Sequence, residues 1–396
     1  MATANPISDT SFAPARPAAN LLVLAAAMPR DQMEMLLVNL AEAFPVEDLV
    51  VATQGEVTST LFPARRMIPA PPTNAAWTST AADFQNAYQL ARETEVHSVL
   101  MLGPGAGSLS TSALRSLAQA VAATQVDLAM PCYTLPAHAG LINSAILYPL
   151  TRTLFASPVR FPQAIDAGLS LRMAERMATA AQRFTNSNQA DALIWPVNEA
   201  VAAGFATDEF DVGPRALPQP ADTDINAILS LVTGSLFADI EAKAAIWQRP
   251  RRMPALSRPM QDLPTSDGTG EVQRLVESFR FAYTNLQEIW SLVLPPNSLL
   301  GLKRLSVTNT ADFRMPEALW ARIVFDFLIA YRLRTINRGH LMGALIPLYL
   351  AWVAGHINIT AAGTSSERHI EAVAAAFEAD KPYLVSRWRW PDRFNS

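Results

Sequence analysis

A single cysteine, Cys132, is all the thiol chemistry in 396 residues. That excludes an internal disulfide framework and any metal site built from several cysteines. Cys132 reads as a buried, inert thiol, and such sparse cysteine fits a reducing cytoplasm. Charge is scarce too. Lys plus Arg number 31 against 35 Asp plus Glu, a net charge of -4, so no overall positive field exists for nucleic acid. The local groups Arg65-Arg66, Arg249 to Arg252 and Arg387 to Arg393 are short and read as solvated surface, with the second within reach of a phosphate. The five histidines (His97, His138, His340, His356, His369) are scattered. Missing as well are a Gly-x-Ser-x-Gly elbow, a His-Glu-x-x-His pair and a Gly-Lys-Ser/Thr phosphate loop. The absence of a fixed-period repeat excludes a solenoid.

What the chain has is apolar bulk. Half of its residues are hydrophobic, enough for a large core, and at about 100 to 200 residues per domain the length predicts two domains or three. Residues 1–19, rich in Ala, Pro and Ser, read as a flexible leader before a first strand. The short apolar run Leu21 to Met28 has no basic cluster before it, so it is not a secretion signal. The longest apolar stretch, Leu341 to Ile359, contains Pro347 and His356 and reads as a buried helix, not a membrane span.

From Asn20 to Pro131 short β-type runs alternate with helical patterns, the signature of a doubly wound α/β layer. Expected strands are Leu21 to Ala27, Leu49 to Thr53, Ser98 to Leu102 and Val126 to Met130. Expected helices between them are Asp31 to Ala43, Ala81 to Thr94 and Ser110 to Ala123, the first and last opening on an Asp or Ser cap. Beyond Pro131 the pattern turns helical over Leu141 to Phe155, Pro162 to Ala181, Asp191 to Ala203 and Asp224 to Trp247. Residues 248–270 carry four prolines and little periodicity, which reads as a linker. From Glu271 to Ser396 the pattern is all helical. Trp320, Ile323, Val324, Phe327, Leu328 and Tyr331 share one helical face there, a core stripe. Dimerisation is compatible with so large a helical part.

In an open α/β sheet ligands bind along the carboxyl edge of the strands, and here that edge includes Gly103-Pro104-Gly105-Ala106-Gly107-Ser108. Backbone N–H groups of such a loop, with the dipole of the next helix, can hold a phosphate. A plain tight turn is the alternative. A dinucleotide enzyme is disfavoured: the third glycine comes one place early, Pro104 has no N–H, and Asp127 opens its strand instead of closing it. Tyr133 and His138 follow the last of these strands, Val126 to Met130, near the same edge, as contacts for a sugar or base, or as ordinary packing and loop residues.

With its segments in this order, the chain resembles the bacterial glycosyltransferases of the GT-A fold, near glucosyl-3-phosphoglycerate and mannosylglycerate synthases. The resemblance rests first on Gly140-Leu-Ile-Asn-Ser-Ala-Ile-Leu-Tyr-Pro-Leu-Thr-Arg152 and on Arg160-Phe-Pro-Gln-Ala-Ile-Asp-Ala-Gly-Leu-Ser170. It continues through Ile194-Trp195, Glu199, Ala200, Gly204 and Val212-Gly213, then Val232 to Phe237 and Trp247. It ends in Trp320 to Tyr331, His340-Leu341 and Pro347-Leu348-Tyr349. It implies a GT-A-like, Rossmann-like nucleotide-sugar transferase domain over residues 20–247, an all-helical C-terminal domain over 271–396, and a nucleotide sugar as partner.

The family neutralises the departing diphosphate with Mg²⁺ or Mn²⁺ on an Asp-x-Asp pair. Those two positions fall here on Gly103 and Gly105. Another family aspartate falls on Leu193, and a metal-binding histidine falls near Leu217. The residues therefore imply no metal and no cofactor of their own. Asp166 takes the position that would face the acceptor or the reacting sugar, or else caps a helix beginning near Gly168. Arg152 and Arg160 would pair a phosphate, with Gly103, Gly105 and Gly107 beside them, or would bridge to Asp166. Two functions follow: sugar transfer without metal, or a catalytically inactive pseudo-glycosyltransferase serving as a binding or scaffold module, paired with an active homologue.

Overall fold

Continuous runs of Leu, Val, Ala and Met form the centre of the sheet, because a strand covered by helices on both faces has no solvent side to keep polar. The computed structural model describes residues 20–54, 62, 67–71, 78–217, 224–249 and 269–391. The leader expected over 1–19 lies outside them, as does the linker expected over 248–270 except for its ends. The strands are β1 Leu21–Ala25, β2 Leu49–Thr53, β3 Met67–Pro69, β4 Ser98–Leu102, β5 Leu128–Thr134, β6 Ala167–Ser170 and β7 Thr207–Pro214. Every residue of β1, β2 and β4 is buried. The sheet order is β3-β2-β1-β4-β6-β5-β7. All pairings are parallel except those of β6, which runs antiparallel to both β4 and β5.

Helices α1 Arg30–Ala43, α2 Ala81–Glu93 and α3 Thr111–Ala122 follow the expected pattern closely. α1 opens after Pro29 without a side-chain cap, not on Asp31. α3 is capped as expected, Ser110 Oγ accepting from the Ala113 N–H. α2 starts in a capping box between Thr80 and Asp83, a device that satisfies two orphan donors at once.

Residues Asn143–Leu147 form a π-turn that runs into α4 Tyr148–Phe155. Pro149 has no N–H to give the Ala145 carbonyl one turn back. That carbonyl takes the indole N–H of Trp320 instead, at 2.8 Å. The single helix expected over Pro162 to Ala181 is in fact a loop, then β6, then α5 Leu171–Thr185. At Gly168 an added Cβ would lie 2.4 Å from the Leu117 carbonyl oxygen. Only glycine lets this strand pass under α3. Ser170 caps α5 through the Met173 N–H, so Asp166 is no helix cap.

The remaining helices are α6 Pro196–Ala203, α7 Ile225–Ala242, α8 Ala244–Trp247, α9 Thr269–Val293, α10 Pro296–Ser306, α11 Glu317–Leu333, α12 Arg338–Ala361 and α13 Ser366–Arg389. One apolar core fills both faces of the sheet. The second is shared by α4, α7, α8 and the C-terminal helices, and includes Trp195, Trp247, Trp320 and Trp352. The stripe on α11 is buried, and so is most of the opposite face. By length and composition α7 and α12 could each cross a membrane; 67% of the most apolar window of α12 is buried inside the protein. Cys132 sits half-buried on β5, not in the core. Arg387, expected on the surface, is buried and pairs with Asp326.

Candidate functional site

The carboxyl edge of the sheet brings β4, β5 and the segment before β6 together around Asp166. Its carboxylate is fully buried and has a donor for every lone pair. The Gly103 N–H donates to Oδ1 at 2.9 Å and the Tyr133 hydroxyl to Oδ2 at 2.9 Å. Arg215, just past β7, closes the arrangement as a fork, Nε to Oδ2 at 3.0 Å and Nη2 to Oδ1 at 3.1 Å. Neither side chain of this pair is exposed at all. Burial pushes the Tyr133 hydroxyl well above the usual phenol range, and the neighbouring Asp166 charge adds to that. A bidentate guanidinium-carboxylate pair is the strong form of the interaction, and it leaves Asp166 no lone pair for a substrate.

The glycine loop is explained by what surrounds it. An added Cβ at Gly103 would stand 2.8 Å from the Ile165 Cβ, and one at Gly107 would stand 2.5 Å from the Gln32 carbonyl oxygen. Gly105 has φ +76°, and a Cβ there would meet Arg215 Nη1 at 2.8 Å. Several of the loop amides are taken: Ala106 N–H bonds the Gly103 carbonyl, Ser108 N–H the Gly105 carbonyl and Leu109 N–H the Ala106 carbonyl. Tight packing and turn closure account for these glycines without a phosphate.

A divalent ion does not fit this donor set. Where the family's Asp-x-Asp would hold it, Gly103 and Gly105 have no side-chain oxygen, and the Arg215 guanidinium fills the space beside them. Leu193 is buried and Leu217 lines an apolar cavity. Among the described residues no three His, Cys, Asp or Glu are grouped to hold a metal.

Arg152 and Arg160, expected at donor phosphates or at Asp166, face the last helix. Arg152 pairs with Glu371 and Glu378, and Arg160 with Glu367 at 2.9 Å, all on α13. They tie the α/β layer to the C-terminal helices. Glu199, carried by the resemblance, is buried between Lys243 at 2.8 Å and Arg176 at 2.7 Å, a structural pair as well. Sequence reading missed Arg215. Its only signal is an arginine placed just after a strand at the sheet's carboxyl edge, where a buried aspartate can use it.

Two cavities flank Asp166. On the β1–β4 side a crevice bounded by Leu24, Ala25, Gln54, Asn86 and Gly103 encloses about 30 Å³, room for about two waters. On the helical side a cavity of about 570 Å³ opens between the sheet edge and α7, α9 and α12. Thr78 and Ile165 border both. Tyr133 and His138 line the larger one; His138 Nε2 lies 3.1 Å from Thr360 Oγ1, and burial holds this imidazole below its usual pKa.

Behind His138 lies a buried histidine pair that the sequence did not suggest. His356 and His369 stack, Nδ1 to Nδ1 at 2.7 Å, under the Trp352 ring. His356 Nε2 donates to the Ala137 carbonyl at 3.1 Å, which makes its Nδ1 the acceptor and His369 Nδ1 the donor. Burial, with His369 beside it, brings the His356 pKa down to about 3. An unfolded histidine takes its proton near 6.5 and the folded one only near 3, so stability is complete above pH 7 and falls as pH drops through that interval. The slope should approach about 1.4 kcal/mol per pH unit. Melting curves at pH 7.5, 6 and 5 should show this decline, and His356→Gln should flatten it. Parallel pH profiles for the two proteins would refute the assignment.

No family model matches the chain, and no match was found among the curated proteins. Solved structures that resemble it include one titled only as a mycobacterial protein, with 11% identity, a TM-score of 0.36, and coverage of 63% of this chain and 82% of that one. Glucosyl-3-phosphoglycerate synthase from Mycobacterium tuberculosis with phosphoglyceric acid gives 11% identity and a TM-score of 0.36, covering 63% of this chain and 88% of the other. The same enzyme with Mn²⁺ and UDP-glucose gives 12%, 0.34, 63% and 88%. At these values the likeness carries no argument about activity.

Proposed function

We propose that this chain is a GT-A-like protein in which metal-dependent sugar transfer has been replaced by ligand binding, a pseudo-glycosyltransferase acting as a binding module. The observation that carries this reading is the buried Arg215–Asp166 pair. Transfer from a nucleoside diphosphate needs positive charge open to the phosphates, and the role the resemblance gives Asp166 needs its carboxylate open to the acceptor or sugar. Here the cation and the carboxylate face each other, and the crevice beside them is far below the roughly 300–1,000 Å³ of ligand sites. The larger cavity falls within that range. The single reversed strand in an otherwise parallel sheet, with the site at the carboxyl edge, supports the GT-A-like ancestry stated from the sequence.

One atom favours a second reading. Arg215 Nη1 is buried without a hydrogen-bond partner and lies against the Gly105 loop. An anionic oxygen admitted by a shift of that loop would satisfy it, which is what a metal-free diphosphate site requires. Calorimetric titration with UDP, GDP and ADP sugars, each with and without Mg²⁺ or Mn²⁺, separates the readings. The expected result is no binding that metal strengthens. A gain of about tenfold or more on adding metal, some 1.4 kcal/mol, overturns the proposal, and metal-free binding of one nucleotide favours the second reading.

A further inference from the structure

The 570 Å³ cavity has a consistent chemistry. Its walls are mostly aliphatic and aromatic: Phe161 and Ile165 from the sheet edge, Ile228 on α7, Leu275 on α9, Leu350 and Val353 on α12. Among the described residues no lysine or arginine lines it, and its one carboxylate is Glu271. Among the described residues a phosphate or carboxylate head group would meet no counter-charge and one like charge. Near the Asp166 side the wall carries Gln163. Its amide nitrogen donates to Thr78 Oγ1 at 3.3 Å and to the Ser79 carbonyl at 3.5 Å. That orientation leaves Gln163 Oε1 covered by the wall and without a donor, so a small turn of this side chain toward the cavity would let an O–H or N–H satisfy an acceptor that otherwise costs free energy.

We propose that this cavity binds a neutral amphiphile, an aliphatic or prenyl body seated among the helices with a hydroxyl-bearing head directed at Gln163. The inference deepens the binding-module reading by naming its ligand class. It can fail separately, because nucleotide sugars probe the Gly105 loop beside Arg215 and amphiphiles probe the cavity. Each buried methylene adds roughly fourfold in affinity, so the body supplies the affinity and the head the selection.

The test is calorimetry on the full chain with octyl β-glucoside below its micellar threshold, beside octyl phosphate and glucose. Octyl β-glucoside should bind, octyl phosphate about tenfold more weakly or worse, and glucose not at all. Gln163→Leu should weaken the octyl β-glucoside complex about two- to tenfold, the range of one neutral hydrogen bond. Ile228→Trp fills the cavity and should abolish binding. Leu350→Trp fills it from α12 and serves if the first variant fails to fold, with far-UV circular dichroism and melting as the check. Failure of the wild-type protein to bind octyl β-glucoside, octyl phosphate binding as tightly, or undiminished binding in a folded tryptophan variant would each overturn the inference.

Discussion

Replacing Arg215 by methionine should lower the free energy of unfolding by about 3–5 kcal/mol, the cost of leaving a buried charge without its partner. Asp166 would then keep only the Gly103 N–H and the Tyr133 hydroxyl, with no cation near it and no solvent. Asp166→Leu alone should cost a similar amount, since it strands the guanidinium. The double variant should recover much of the loss, because two well-packed apolar side chains remove both desolvation penalties together. Urea denaturation of all four proteins gives the interaction energy directly, and contacting groups in one network should couple by at least about 1 kcal/mol. Additive single-variant losses would mean that the two side chains do not share one buried pair. For the same reason Asp166→Asn is a poor probe of catalysis here. Loss of activity in that variant could not be separated from loss of the fold.

The second large effect is expected at Trp320. Its ring is fully buried against Trp352, and its N–H serves the Ala145 carbonyl released by Pro149. Trp320→Ala should cost about 3–5 kcal/mol through lost burial and the cavity left behind. It also leaves that carbonyl without a donor in a dry interior, a further penalty of about 1–3 kcal/mol. Trp320→Phe keeps most of the volume and should fall between the wild-type protein and the alanine variant. Chemical denaturation measures both, and a loss below about 1 kcal/mol for the alanine variant would show that the π-turn does not depend on this indole.

The sequence made the central sheet legible because buried parallel strands are continuous apolar runs. β2 and β4 were readable to the residue, and α1 to α3 nearly so. β7 was not. Its residues Thr-Asp-Glu-Phe-Asp-Val-Gly-Pro are mostly polar and half-exposed, as an edge strand allows, so no hydrophobic pattern marks it. β6 is only four residues inside what reads as a helix, and its strand conformation is fixed by pairing with β4 and β5, which no local signal reports. At the site, Asp166, Gly103 and Tyr133 were named from the sequence and are brought together. Arg215 was not, because its partner lies 49 residues away. The arginines that were named, Arg152 and Arg160, find their carboxylates on α13 for the same reason: charge pairing across a fold is long-range and leaves no spacing to read.

The pairing of Arg160 with Glu367 also sets a clock. The two residues are 207 positions apart, and chains are synthesised at roughly 5–20 residues per second. After Arg160 is made, about 10–40 s pass before its counter-charge exists. During that interval the sheet can assemble its own core, but closing the layer around Arg160 would bury a bare cation. The α/β half should therefore stay open at one seam until the last helix arrives. The nascent protein presents to chaperones and proteases not a finished first domain, but a sheet still waiting for its final element.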